Sequence, residues 1–178
     1  MAIIPKAVMD TCALLDALIL NYYYEVSPHD FISRYVENVF KNRFIRRKIS
    51  SFYNSIPVFI TSSHAIGELQ GLFNSRVKPF NEKENSKNII KLKFWRLSIE
   101  YLKSKRLNES LIKLIELSSE RTNFELMQSV GYIDAGIINI ALRESMPIIT
   151  KDNRTLKASV KNKDIPVIIA EEYAQTYL

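Results

Sequence analysis

The sequence predicts an α/β fold, helix-rich, with a mainly parallel central sheet. Three observations carry that expectation. Four short apolar runs, Ala7-Val8-Met9, Val58-Phe59-Ile60, Ile148-Ile149 and Val167-Ile168-Ile169, each stand close behind a proline: Pro5, Pro57, Pro147 and Pro166. Proline is tolerated at the start of a strand, where no ladder donor is needed. The runs are mostly β-branched and continuous rather than alternating, as strands buried on both faces of a parallel sheet are. Everything between them has helical spacing or helix formers, and strands alternating with helices give an α/β sheet.

Taken in order, residues 12–24 are apolar and rich in helix formers, among them Ala13, Leu14, Leu15, Ala17 and Leu18. Ser27-Pro28-His29-Asp30 has the form of a helix start: a Ser cap, Pro at the first position and an acid in the first turn. The helix it opens is expected to carry Phe31, Tyr35 and Val39, then Ile45, Ile49 and Phe52. Ser62-Ser63 is the cap of the next, with Ile66, Leu69, Leu72 and Phe73 on one face. Asn81–Lys87, polar and following Pro79, is the best loop. Ile89, Leu92, Trp95, Ile99 and Leu102 step by three and four, which predicts a helix over 85–104. Asn108 is the expected cap of a helix through Leu111, Leu114 and Ile115. Further helices are expected over about 122–129 and 133–145, and a last turn or two over Glu171–Leu178.

A chain of 178 residues with 47% hydrophobic and 25% charged side chains suits one globular domain. The single Cys12 excludes an internal disulfide and a thiolate zinc site, and His29 and His64 alone exclude an imidazole-rich one. A reducing, cytoplasmic setting is expected. No apolar run approaches the ~20 residues of a membrane span, and no signal peptide is apparent, so no membrane partner is expected. The net charge of +6 and pI near 9.3 are compatible with a nucleic-acid partner.

The carboxylates are the informative groups. Asp occurs six times, and Asp10 ends the first strand, Asp134 opens a helix after Gly131-Tyr132-Ile133, and Asp152 follows the run Pro147–Thr150. Glu68 lies in the second turn of the helix after the second strand. In a parallel α/β sheet the strand C-termini and helix N-termini share one edge, and ligands bind there. All four acids are expected at that edge. At ~5 Å and an effective dielectric of ~20, each like-charged pair costs about 3 kcal/mol. Such a cluster makes sense as an oxygen-rich site for Mg²⁺ or Mn²⁺. A bound hard cation lowers the pKa of water and offsets charge on a phosphate. A basic protein with an acidic edge therefore points to phosphodiester hydrolysis.

At these residues the chain resembles a family. Val8-Met9-Asp10-Thr11 is similar to the opening of a PIN-domain nuclease. So is Ser62-Ser63-His64-Ala65-Ile66-Gly67-Glu68-Leu69, with its acid on the helix after the second strand. The strongest match is Ile133-Asp134-Ala135-Gly136-Ile137-Ile138-Asn139-Ile140-Ala141-Leu142, followed by Pro147-Ile148-Ile149-Thr150-Lys151-Asp152. The resemblance covers essentially the whole chain, in order and spacing. It implies a PIN-like three-layer α/β/α domain spanning 1–178, with a helical elaboration around 81–120. It implies Mg²⁺- or Mn²⁺-dependent RNA cleavage. Many prokaryotic members are ribonuclease toxins held by a small antitoxin, which would then be a partner beside the RNA. Asp10, Glu68 and Asp134 would hold the first metal, and Asp152 would complete the site or serve a second ion. Thr11 and Thr150 would be auxiliary.

Plainer roles stand beside these. Asp10 and Asp134 are also well placed as helix caps or first-turn acids, and Asp152 sits in a Lys-Asp-Asn-Arg turn. Thr11 either caps its helix or orients a water. Lys41, Arg43, Arg46, Arg47 and Lys48 put five cations in a short run followed by Phe52 and Tyr53. That run is either a solvated helix face or an RNA-tracking patch. Lys87, Lys91, Lys103 and Lys105 suggest plain solvation, and Tyr22-Tyr23-Tyr24 packing or a homodimer contact. The alternative to a nuclease is a non-catalytic nucleic-acid-binding or regulatory module. A phosphoacceptor domain like a response regulator would need a second acid beside Asp10, and Met9 stands there.

Overall fold

The computed structural model describes residues 4–26, 29–79, 82–107, 131–151 and 165–177. Among these are strands β1 (Lys6–Met9), β2 (Val58–Ile60), β3 (Ile148–Thr150) and β4 (Val167–Ile169). The helices are α1 (Thr11–Glu25), α2 (Phe31–Val39), α3 (Arg43–Ser55), α4 (Ser63–Arg76), α5 (Glu84–Ser104), α6 (Tyr132–Glu144) and α7 (Ala170–Tyr177). The four strands form one sheet in the order β2-β1-β3-β4, parallel at every pairing. The fold is therefore mixed α/β with a parallel sheet, and the four proline-led runs are its strands.

The strands have apolar partners on both faces. Ala7, Met9, Phe59 and Ile149 enter a large core with α1, α2, α3, α5 and α7, whereas Val8, Ile60 and Ile148 pack with Ile137, Ile138, Ile140 and Ala141 of α6. Two-sided burial is why the runs read as continuous rather than alternating. Helix α1 is apolar nearly all round, with Leu14, Leu15, Leu18, Ile19 and Leu20 fully buried. Such a helix belongs inside a protein, and here it contacts α2, α3, α4, α5 and β3. Each of those side chains contributes about 1.5–3 kcal/mol by leaving water.

Three expectations are corrected. The helix expected to open at Ser27-Pro28 begins at Phe31, and its cap is Asp30, whose Oδ1 accepts the Ser33 N–H. The single helix expected to run on to Phe52 is two. Asn42 Oδ1 accepts from the N–H groups of Phe44 and Ile45 and so starts α3 afresh, a side-chain competition with continuous helix that Asn favours. The loop over Asn81–Lys87 is shorter, because α5 begins at Glu84. The helix expected over 85–104 is present as α5, and the stripe that predicts it is split, with Trp95 and Leu102 half-buried against the core. Ile89, Leu92 and Ile99 are exposed, and Phe94, Ser98 and Tyr101 are buried instead. Phe94 stacks on Phe73 of α4 with centroids 4.5 Å apart and meets Tyr22 of α1 edge-on. The helices expected near 108–118 and 122–129 lie outside the described residues.

Lys105 is likewise not solvated. It is buried, and its Nζ donates to the carbonyls of Asn54 (2.7 Å) and Ile56 (3.0 Å), tying the end of α5 to the turn before β2. Burial pushes its pKa down. Among the described residues no helix is long and apolar enough to cross a membrane.

Candidate functional site

The C-terminal edge of the sheet is built around Asp10. Its backbone N–H donates to the Ile149 carbonyl (3.1 Å), which sets the end of β1 beside the end of β3. Thr61, just past β2, donates its hydroxyl to the Met9 carbonyl at 2.7 Å and fixes the same end from the other side. Asp10 then caps α1: its Oδ1 accepts the Ala13 N–H at 2.6 Å. Asp10 therefore caps α1 from a position at the C-terminal edge of the sheet.

Asp10 is 4% exposed, and its pKa is raised to about 6. Burial is the main cause, and the charges of Asp134 and Asp16 add to it, against the Ala13 N–H and Thr150. Thr150 Oγ1 is buried and makes no well-formed hydrogen bond among the described residues, although it lies close enough to favour the charged carboxylate.

Asp134 stands in the first turn of α6, half-buried, where the helix dipole favours an anion. The chain enters α6 through Gly131 at φ +88°, a conformation that side chains rarely adopt. Gly136 of α6 faces Ser62, the cap of α4, so that a side chain at Gly136 would begin 3.9 Å from the Ser62 Cβ. The N-terminal turns of α4 and α6 thus lie side by side. Glu68, exposed in the second turn of α4, accepts the Thr11 hydroxyl at Oε2 (3.1 Å). Thr11 therefore has a specific partner, and its hydroxyl is spent on an acid of the same edge.

Asp10, Glu68, Asp134, Thr11 and Thr150 all fall at the one edge, as expected. Asp152 lies outside the described residues. Among the described residues no three His, Cys, Asp or Glu side chains gather closely enough to hold a metal ion. The fit to Mg²⁺ or Mn²⁺ thus rests on donor chemistry. Asp10 and Asp134 offer hard oxygens whose charges oppose each other, and Glu68 is linked to the edge through Thr11.

Sequence reasoning missed the cationic half of this edge. A cleft of about 310 Å³ opens beside Asp10, lined with Cys12, Tyr35, Arg76, Thr150 and Lys151. Lys151 bridges both oxygens of Asp16 at 2.9 and 3.1 Å, and Asp16 is 2% exposed inside α1. Burial raises the Asp16 pKa, and Lys151 works against that rise. Arg76, in the last turn of α4, donates to Cys12 Sγ at 3.2 Å. Burial, then the charge of Asp10, hold the Cys12 thiol above its usual range, so it acts as an acceptor in a packed site rather than as a thiolate. The signal for Asp16 is in the sequence: it is the one charge within the apolar stretch Ala13–Leu20.

The cationic run 41–48 lies elsewhere. Arg43, Arg46 and Arg47 line a separate cavity of about 560 Å³ with Tyr23, Tyr24 and Glu37. Tyr23 is about 20 Å from Asp10 along α1 at 1.5 Å rise per residue. Arg46 is buried with its guanidinium carbon 4.8 Å from the Tyr23 ring centroid, and its Nε and Nη1 find no hydrogen-bond partner among the described residues. Lys41, Arg43 and Arg47 are exposed, and Lys48 lies over the Phe44 ring at 4.6 Å.

Comparison with family models, with curated proteins and with solved structures finds no match to this chain.

Proposed function

We propose that the chain is a metal-dependent ribonuclease of PIN-like three-layer α/β/α architecture that hydrolyses RNA phosphodiester bonds at the C-terminal edge of its sheet. One observation carries it: two mutually repelling acids, Asp10 and Asp134, share that edge with Glu68, and a cation-lined cleft opens directly beside Asp10. Mg²⁺ or Mn²⁺, held by Asp10 and Asp134 with Glu68 reached directly or through water, would supply an activated water and charge neutralisation on the phosphate. Asp10 is fixed for this by the Ala13 N–H and by the close of β1 against β3. Thr11 fixes Glu68. Arg76 and Lys151 face the cleft and offset the negative charge that grows on the phosphate oxygens during displacement. Asp16 holds the Lys151 ammonium in that position. Water adds to phosphorus, the bridging P–O bond breaks, and the proton of the water ends on the leaving oxygen. The toxin role and an antitoxin partner are part of the same proposal, since they come from the resemblance alone.

Single-stranded RNA incubated with the protein and Mg²⁺ or Mn²⁺ is expected to be cut, and EDTA to stop it. Asp10→Asn and Asp134→Asn should each slow cleavage by at least ~10²-fold, as loss of a principal electrostatic group does. Wild-type rates in either variant would remove the assignment. The non-catalytic alternative has one observation in its favour, the lack of three convergent acids among the described residues. It predicts RNA binding with no cleavage by wild type.

A further inference from the structure

A second cavity, about 600 Å³, adjoins the cleft beside Asp10 and shares two of its walls, Tyr35 and Arg76. It is lined further along by Phe31, Arg34, Asn38 and Lys78. The two spaces form one groove between α2 and the C-terminal end of α4. Along it the cations come in series: Lys151 at the acidic edge, Arg76 at the junction, then Lys78 and Arg34 at the far end. Two carboxylates line the groove, Asp10 at one end and Glu82, paired with Arg34, at the other. Lys78 is exposed, and Tyr35 is half-buried at the junction.

We infer that this groove binds a single strand of RNA leading away from the Asp10 edge, with successive phosphates on Arg76, Lys78 and Arg34 and an unpaired base against Tyr35. A run of cations at intervals along a concave wall tracks a phosphate backbone, and an aromatic ring set among them accepts a base only when that base is unpaired. The expected path therefore leaves the run Lys41–Lys48 aside. That run surrounds a different cavity, which shares no lining residue with the cleft beside Asp10.

The inference rests on the proposed function only in taking RNA as the ligand that reaches Asp10. It is tested by binding alone. The Asp10→Asn protein in EDTA is titrated with a fluorescein-labelled single-stranded RNA oligomer and with a duplex of the same sequence, over a series of salt concentrations. Lys78→Glu should weaken single-strand binding by about tenfold or more, alike across sequences. Lys78→Ala should flatten the slope of log affinity against log salt by about 0.7, the value for one lost single-strand phosphate contact. Tyr35→Ala should weaken binding and Tyr35→Phe should restore it, because the ring and not the hydroxyl carries the stacking. Lys78 is exposed, so its variants fold, and their unfolding midpoints are measured beside the affinities. Equal affinity for duplex and single strand would overturn the inference. So would unchanged affinity in Lys78→Glu, or a loss confined to an Arg43→Ala/Arg47→Ala variant. A groove that binds in a protein that never cuts RNA would refute the nuclease and keep the groove. Cleavage with no effect at Lys78 or Tyr35 would do the reverse.

Discussion

Lys151 and Asp16 form an ion pair, 2.9 Å at the shorter contact, across 135 positions of sequence, with Asp16 almost wholly out of water. Asp16 sits within an otherwise apolar run of α1, and Lys151 is the first residue past β3. The pair therefore couples the central helix to the strand end that faces Asp10. A buried pair of this kind adds little net stability over apolar replacements, but breaking it leaves a charge without compensation.

Lys151→Met should accordingly destabilise the protein by about 3–5 kcal/mol at pH 8. Without Lys151 the Asp16 pKa rises further above its unfolded value. The folded state then holds a proton that the unfolded state has released, and stability falls as pH rises. The defect should thus shrink toward pH 5. Urea unfolding at both pH values checks this, and Asp16→Leu/Lys151→Met should recover most of the loss.

Asp10 gives a prediction of opposite sign to that of an ordinary cap. Its folded pKa of about 6 stands above the ordinary aspartate value of 3.8, so in the absence of metal its ionisation opposes folding. That contribution is absent below pH 3.8, grows as pH rises through 4–6 and is complete above, at about 3 kcal/mol. Asn caps a helix about as well as Asp. Asp10→Asn in EDTA should therefore be more stable than wild type at pH 7.5, by up to about 3 kcal/mol, and equal to it near pH 4. Destabilisation at pH 7.5 would mean that capping is all the carboxylate does.

If Asp134 helps to hold a divalent cation, Mn²⁺ should raise the melting temperature of wild type in proportion to the logarithm of its concentration above Kd. Asp134→Asn should lose most of that gain while melting, without Mn²⁺, at or above the wild-type temperature. Scanning calorimetry with and without Mn²⁺ reads both. A wild-type melting temperature indifferent to Mn²⁺ would count against a metal at this edge.

The face of α5 can be tested by comparing two apolar residues of one helix. Phe94 is fully buried against Phe73 and Tyr22, and Phe94→Ala should cost about 3–5 kcal/mol. Leu92 is 74% exposed, and Leu92→Ala should stay within about 0.5 kcal/mol of wild type. Denaturant midpoints at constant m-value give both numbers.

The sequence by itself determined the strands, most helix starts and the edge on which the acids fall. These follow from local chemistry: β-branched runs behind prolines, Ser62 as a cap, and the rule that strand ends and helix starts of a parallel sheet share an edge. It also held the break at Asn42, though the apolar spacing of Phe31 through Phe52 conceals it, because period alone does not reveal a side chain that captures its own backbone. Only the tertiary structure decided which face of α5 is buried. Ile89, Leu92 and Ile99 keep helical period as well as Phe94 and Tyr101 do, and the choice is made by Phe73, Tyr22 and Phe59 on other elements. It alone brought Lys151 to Asp16 and Arg76 to Cys12, and joined two cavities at Tyr35. The reason is physical: a charge or an aromatic ring gains its role from the partner it meets after folding, and these partners lie tens of positions away, beyond the reach of any local pattern.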